Sequence, residues 1–418
     1  MLQKNPTEID IHLKREAKVM KVKQMMSWLI FLLSVMAFCV SPIMAAEPIK
    51  IANIEALSGA FEQFGNQSRT GFQLGMEYAT QGTMNLIGRP VEIIVKDSQI
   101  KPAVGKQLLT EAYKDDKVDL AVGPTSSAVA MAMLPVPLEF KKILVVEPAV
   151  SDTITGKDSN RYVFKTSRNS SHDAIGNALV IAKPDVYIAT VAQDYTFGRT
   201  FGEIYKKACE AKGAHIVIEE YLPIETVDFT ASAQRIIKAM KDIKGKKYLF
   251  LNWAGKGSPL NKFHDMKLDE KYGIELTTGG NILPVLKGYK PFAGMEGSGY
   301  YYYTNPKNEM NDWMIAEHQK RFKGEPPDFF VCGGFAAAMF VAKAIEKAGS
   351  TDTEKLIEAM EGLEWMTPKG KMIMRKEDHQ ALQSMFHFKL RVDPQVEWAI
   401  PELVKVQTIE ELNIPLTR

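Results

Sequence analysis

Residues 118–134 read VDLAVGPTSSAVAMAML. Val118, Leu120, Ala121 and Val122 make a short strand that is apolar on both faces, as in a parallel sheet covered by helices on each side. Gly123 and Pro124 stop it. Thr125, Ser126 and Ser127 then open a helix, where the first backbone N–H groups have no intrahelical partner. Such a start suits a carboxylate or another small anion, because the N–H groups and the positive end of the helix face it and the hydroxyls add donors. The other reading is that Ser126 or Ser127 simply caps its own helix.

The same strand-then-helix unit repeats on either side of this stretch. IKIANIEAL, VEIIVKDSQ and KILVVEPAV read as strands, with helices expected at 67–80, 102–115 and 127–140. After an irregular stretch at 151–160 a second ladder begins: DVYIATVAQ, HIVIEEYLP, KYLFLNWAG and GIELTTGG are strands, with helices at 198–212 and 230–243. Two successive ladders predict an α/β protein of two Rossmann-like lobes with mostly parallel sheets. The last third breaks the rhythm. GSGYYYYT (297–304) reads as a strand, 308–322, 330–347 and 353–361 as helices, and MIMR, SMFHFKLRV and QVEWAI as hairpin strands. These late pieces suggest a chain that crosses back between its lobes.

The 418 residues leave room for two or three domains, and a 45% hydrophobic content supplies a sizeable core. Lys14, Arg15, Lys18, Lys21 and Lys23 precede the apolar run Trp28–Val40, and Ala45-Ala46 follow. That order describes a secretory signal peptide over 1–46; the run is short of the roughly 20 residues that span a membrane. Met44 or Ile43 stands at the −3 position of the expected cleavage site, Phe38 before Cys39 argues against lipidation, and Met20 is an alternative start. Of 52 basic and 50 acidic residues, removal of 1–46 leaves 46 and 47. This balance gives no electrostatic reason for a nucleic-acid partner.

Chemistry-bearing motifs are missing. There is no nucleophile elbow, no H-E-x-x-H, no phosphate loop and no G-x-G-x-x-G after a strand. Asp378-His379 is the one Asp-His dipeptide, and neighbours in sequence rarely form a catalytic dyad. Beyond the N-terminal segment only Cys209 and Cys332 remain; a disulfide is open, two free buried thiols are expected, and no metal spacing exists. No cofactor is expected.

The blocks KIANIEALSGAFEQFGNQSRTGFQLGMEYA, VDLAVGPTSSA, LVVEPAVSDTIT, VAQDYTFGRTFGEIYKKACEAKGAHIV, DFTASAQRIIKAMK and KGKMIMRKEDHQ, in that order, resemble the substrate-binding proteins of ABC importers. The match is to the type I fold in the leucine/isoleucine/valine-binding branch, over nearly all of 49–390. The resemblance implies two lobes joined by three hinge segments: lobe one at 49–169 plus 301–375, lobe two at 170–300 plus 376–418. It implies a periplasmic monomer that closes on its ligand and delivers it to a membrane permease driven by an ATPase.

It further implies that Thr125, Ser126 and Ser127 hold a ligand carboxylate and that Ala149, Val150 and Ser151 add backbone and a hydroxyl. Phe64 would cover the apolar part of the ligand, and Phe197, before Gly198, replaces a tyrosine often found there. Trp253 would line the cleft. The acidic residue that pairs with the ammonium of an amino acid has Asn281 as its best match here, with Glu275 or Glu296 as alternatives. A neutral Asn cannot neutralise a buried cation; with Asn281 in place, Phe64, Phe197 and Trp253 suit a flat or apolar carboxylate such as an aromatic acid, and with Glu275 or Glu296 as the partner the ligand is a branched-chain or other amino acid. A secreted ligand sensor of the same fold is the rival reading, and a secreted α/β enzyme using Asp378 or His379 a third. The sequence offers no second transmembrane run and no signalling domain, which favours transport.

Overall fold

In the computed structural model the described residues are 6–38, 46–254 and 257–417. They form two units, 1–47 and 48–418. The first holds one helix, Pro6–Phe38. Cys39 and the expected cleavage site at 43–45 lie outside the described residues.

The second unit contains both ladders. Lobe one is built on β1 (Ile49–Glu55), β2 (Asn85–Leu86), β3 (Arg89–Asp97), β4 (Leu120–Val122), β5 (Ile143–Val146) and β6 (Val163–Lys165), in the order β2-β3-β1-β4-β5-β6. All pairings are parallel except the short antiparallel β2. Lobe two has β7 (Val186–Gln193), β8 (His215–Leu222), β9 (Lys246–Asn252) and β10 (Ile274–Thr278), ordered β10-β9-β7-β8 and parallel throughout. β1, β4, β5 and β7 are buried along nearly their whole length because each sheet is a middle layer, whereas β3 and β8 toward the sheet edges are only partly covered. In lobe one, Phe164, Phe340 and Trp365 fill one face while Leu109, Val129 and Met133 fill the other. Full burial of side chains this size is worth roughly 1.5–3 kcal/mol apiece.

The helix Phe329–Ala348 is long and apolar enough to cross a membrane, so a second such run does exist in the chain; 83% of its apolar window is buried, and it packs as a core helix of lobe one against Glu62–Ala79.

The late strands serve both lobes. β11 (Glu296–Gly299) pairs with β15 (Met385–Arg391), which pairs with β16 (Ile400–Gln407), all antiparallel; β12 (Glu364–Thr367), β13 (Gly370–Met374) and β14 (Ala381–Leu382) form a separate meander. Two strand expectations need correction here. The GSGYYYYT strand stops at Gly299, and Tyr300, Tyr301 and Tyr302 are buried in the crossover after it. The last strand lies at 400–407 rather than over QVEWAI. Its exposed Leu403, Val404 and Val406 break the apolar-polar alternation that would have revealed it.

The chain crosses between the lobes at 166–169, at 300–308 and at 383–384. The third crossing falls after β14, past the expected boundary at 375, because β14 still pairs with β13. The C-terminal residues also depart from the expected assignment of 376–418 to lobe two. Arg375 Nη1 donates to the Ile414 carbonyl at 2.6 Å, and Thr417 Oγ1 donates to Thr155 O at 3.0 Å, so the tail returns to lobe one.

Candidate ligand-binding cleft

Two small chambers share a wall between the lobes. Phe64, Arg168, Phe197, Ala254 and Phe330 line both. Their volumes are about 70 and 60 Å³. At roughly 10–15 Å³ for a water-sized group, the pair admits only a small molecule.

The turn after β4 supplies the first wall. Gly123 has φ +123°, and a Cβ there would sit 2.0 Å from the Ile54 carbonyl oxygen, so glycine is required. Ser126 occupies the N-cap position of the helix Ser127–Met133 with extended backbone, yet its side chain makes no capping bond. Its hydroxyl is therefore not used by its own helix, and it lines the second chamber beside Ser127. Ser127 Oγ accepts from the Ser151 N–H at 3.2 Å, which leaves its proton to donate.

Thr125 lies in the same wall, but its hydroxyl is taken. Oγ1 accepts from the Ala56 N–H at 2.9 Å and donates to Glu55 Oε2 at 2.6 Å. Ala149 does not line either chamber: its N–H donates to the Pro124 carbonyl at 3.1 Å and its carbonyl accepts from Ser167 Oγ at 2.6 Å. Ser151 is also off the chambers. Its Oγ is 3.1 Å from Thr200 Oγ1 on the lobe-two helix Thr196–Glu210, a contact between lobes rather than toward a ligand. Val150 does line the second chamber; its carbonyl accepts from the fully buried Lys165 Nζ at 2.9 Å.

Lobe two supplies the facing wall. Gly198 lets the helix after β7 approach closely, since a Cβ would sit 1.9 Å from the Gln193 carbonyl. This close approach sets Phe197 into both chambers. Tyr195, two residues earlier, lines the second chamber, so a tyrosine stands near the position after all. Trp253 lines the first chamber, edge-on to Phe229 with ring centroids 5.6 Å apart. Its loop is clamped by Gln193, whose amide donates to the Ala254 carbonyl and accepts from the Ala254 N–H, both at 3.0 Å.

Asn281 also lines the first chamber. Its Oδ1 accepts from the Ile282 N–H at 2.9 Å, and its side chain bonds the Tyr289 hydroxyl, whose ionisation burial pushes up to about 12. Being neutral, it can accept a hydrogen bond but cannot offset the charge of a buried ammonium. Neither alternative replaces it: Glu275 pairs with Lys246 and Glu296 with His387, and neither lines a chamber.

The residue that sequence reasoning missed is Arg168, in the crossover between β6 and the helix Ser170–Ile181. Its Nε donates to Asp173 Oδ1 at 2.8 Å. The guanidinium lies over the rings of Tyr300, Phe329 and Phe330, 4.7, 5.1 and 6.0 Å from their centroids. Burial opposes its charge, but Asp173, Tyr300 and Glu147 together outweigh burial and hold it above the ordinary guanidinium range. The signal was available in the polar hinge segment KTSRNSSHD (165–173), where one arginine stands amid short side chains.

The Asp-His dipeptide lies elsewhere. Asp378 takes a bidentate bond from Arg375 at 2.8 and 2.6 Å, and His379 stacks on Phe164 with centroids 4.0 Å apart. Both are structural. Cys209 and Cys332 are free and buried.

A model of the family described as periplasmic binding protein matches residues 48–394. The chain belongs to the periplasmic binding protein family. It has the type I fold of that family and is a solute-binding protein of ABC transporters. The binding protein is similar to a leucine-, isoleucine-, valine-, threonine- and alanine-binding protein of Pseudomonas aeruginosa, 24% identical over 79% of this chain and 86% of that one. It also resembles a solved ABC-type branched-chain amino acid transporter from Rhodopseudomonas palustris CGA009, 57% identical with a TM-score of 0.81 over 88% of this chain and 99% of that one. A third similar structure is a solute-binding protein of an ABC transporter from Rhodopseudomonas palustris BisB5 in complex with 3,4-dihydroxybenzoic acid. It is 26% identical, with a TM-score of 0.75 over 87% of this chain and 98% of that one.

Proposed function

We propose that this binding protein captures a small aromatic carboxylate. The observation that carries the reading is the charge of the cleft. Among the described residues that line the chambers, Arg168 is the one cation and Asp173 the one carboxylate, and Asp173 is engaged by Arg168. An α-amino acid brings a carboxylate and an ammonium, and the ammonium would be buried without a partner, which is strongly unfavourable. An aromatic acid brings only the anion. Its carboxylate sits between Arg168 and the Ser126 and Ser127 hydroxyls, and its ring lies among Phe64, Phe197 and Phe330.

Capture needs no catalysis and no cofactor. The open form loads the acid on lobe one, and closure adds Phe197 and Trp253 from lobe two. Closure is favoured because the ligand contacts both lobes only in that state. The N-terminal segment 1–46 directs export and is removed, the mature monomer works in the periplasm, and the closed form docks on a permease driven by its ATPase. The rival ligand, a branched-chain amino acid, has support in what the relatives from Pseudomonas aeruginosa and Rhodopseudomonas palustris CGA009 are named for.

A thermal-shift comparison of benzoate-type acids with leucine, isoleucine and valine decides between them, since a ligand bound only by the folded state raises the melting point. A rise with aromatic acids and none with amino acids is expected. A rise with leucine alone overturns the reading.

A further inference from the structure

The lobe-two end of the first chamber has an unfilled hydrogen-bonding demand, and two buried donors carry it. Most polar side chains there are already paired. Thr278 Oγ1 donates to the Leu251 carbonyl at 2.8 Å, and Asn177 is held by the Ser298 N–H at 2.8 Å and by the Asp173 carbonyl at 2.7 Å. Asn281 is held by its own neighbour Ile282 and by Tyr289. Two groups are left over. Asn252 Nδ2 and Trp253 Nε1 are buried and have no hydrogen-bond partner. The residues that carry them are only 8% and 7% exposed, and both line the chamber.

Both orphan groups are donors, and an indole can be nothing else. Buried donors of this kind are rare in native proteins and call for an explanation. They stand on consecutive residues at the end of β9, on a loop that Gln193 clamps at both amide atoms of Ala254. The wall that presents them is thus fixed in place.

We infer that the ligand carries a neutral oxygen acceptor at the end remote from its carboxylate: a ring hydroxyl, methoxy or oxo group that receives the Asn252 and Trp253 N–H groups. This rests on the aromatic-carboxylate reading and narrows it to oxygen-substituted aromatic acids. A second carboxylate at that end is disfavoured, because among the described lining residues the only cation is Arg168. A site built to donate to a ligand oxygen discriminates strongly against the analogue that lacks it, because its own buried donors then stay unpaired.

The test is calorimetric titration of the full-length binding protein with 4-hydroxybenzoate, 4-methoxybenzoate, 4-methylbenzoate, 4-aminobenzoate and terephthalate, with the 3-substituted hydroxy and methyl acids alongside. The hydroxy or methoxy acid should bind about 10- to 100-fold more tightly than its methyl isostere in at least one ring position. The amino acid analogue of the ring, which offers donors, and the dicarboxylate should both bind less tightly than the hydroxy acid. N252L and W253F should each remove about tenfold of that preference, read as the ratio of hydroxybenzoate to methylbenzoate affinity within the same variant. Equal binding of hydroxy and methyl acids by the wild-type protein overturns the inference and leaves the aromatic-carboxylate reading standing. Binding of leucine with no response to any benzoate overturns both.

Discussion

Arg168 Nε donates to Asp173 Oδ1 at 2.8 Å, and the guanidinium it belongs to lines both chambers of the cleft. The pair sits in the first crossover between the lobes, with Asp173 in the first turn of the helix Ser170–Ile181. Replacing Arg168 by Met removes the one cation among the described lining residues. Ligand affinity should fall by about 30-fold or more, the scale of about 2–5 kcal/mol seen when one member of a buried charged contact is removed. The melting point should fall as well, because Asp173 is left as a buried charge without its partner. R168K should recover part of the stability but little of the affinity, since an ammonium lacks the planar fork. Calorimetry and thermal unfolding on the same preparations separate the two effects.

Ser126 and Thr125 are neighbours with opposite expected phenotypes. Ser126 makes no capping bond, so S126A should leave the melting point nearly unchanged while weakening carboxylate binding about tenfold. Thr125 bonds Glu55 and the Ala56 N–H. T125A should destabilise the fold by about 1–3 kcal/mol and change affinity far less than S126A. Equal losses of affinity in the two variants would remove the distinction between the two hydroxyls.

Asp328 ties the lobes together outside the chambers. Its Oδ2 accepts from Gln67 Nε2 at 2.8 Å and from the Leu283 N–H of lobe two at 2.9 Å, while Oδ1 caps its own helix through Phe329 N at 2.7 Å. Removing the carboxylate should shift the equilibrium toward the open form without touching a ligand contact. D328A is expected to lower affinity by about 3- to 30-fold through closure alone, in line with one charge-assisted hydrogen bond, and to raise the radius of gyration at subsaturating ligand. Small-angle scattering reads that change directly.

Glu55 makes stability depend on pH. Burial raises its carboxyl from 4.5 to about 8, against the opposing hydrogen bonds of Thr125 and Ser68. Between those two values the folded state holds a proton that the unfolded state has released, so this contribution is complete below about 4.5 and is lost as pH rises through 8. The wild type should therefore lose stability relative to E55Q from pH 5 to pH 9, by a total on the order of a few kcal/mol. Lys165, lowered by burial to about 7, works in the opposite sense in both proteins and cancels in the comparison. Denaturant titrations of the pair across that range give the difference curve.

The ladder of strands was readable because parallel sheets demand unbroken apolar runs, and β1, β3, β5, β7 and β9 supply them. β6 was not readable: three residues, Val163–Lys165, are too few for any periodicity. The helix Ser170–Ile181 was missed for another reason. It carries Ser170, Ser171, His172 and Asn177 as buried residues, so its inward face is polar and lacks an amphipathic stripe. The aromatic lining of the site, Phe64, Phe197 and Trp253, came from family position. Arg168 stood out only as one arginine amid short polar side chains, and its neighbours in the chain say nothing of the three rings it lies over. The same limit applied to Thr125, Ala149 and Ser151, whose polar atoms are consumed by partners distant in sequence.

Arg168 lies in the first of the crossings between the lobes, and on the closure proposed above this placement divides the forces on a ligand. Contacts from Trp253 and Phe197 depend on the angle between the lobes; a charge on the axis does not sweep away when that angle opens. Affinity should accordingly separate into a constant electrostatic part and a part that closure adds. A permease that pries the lobes apart would remove only the second. Release into the membrane channel would then be set by how well the channel itself competes for an anion still resting beside the hinge.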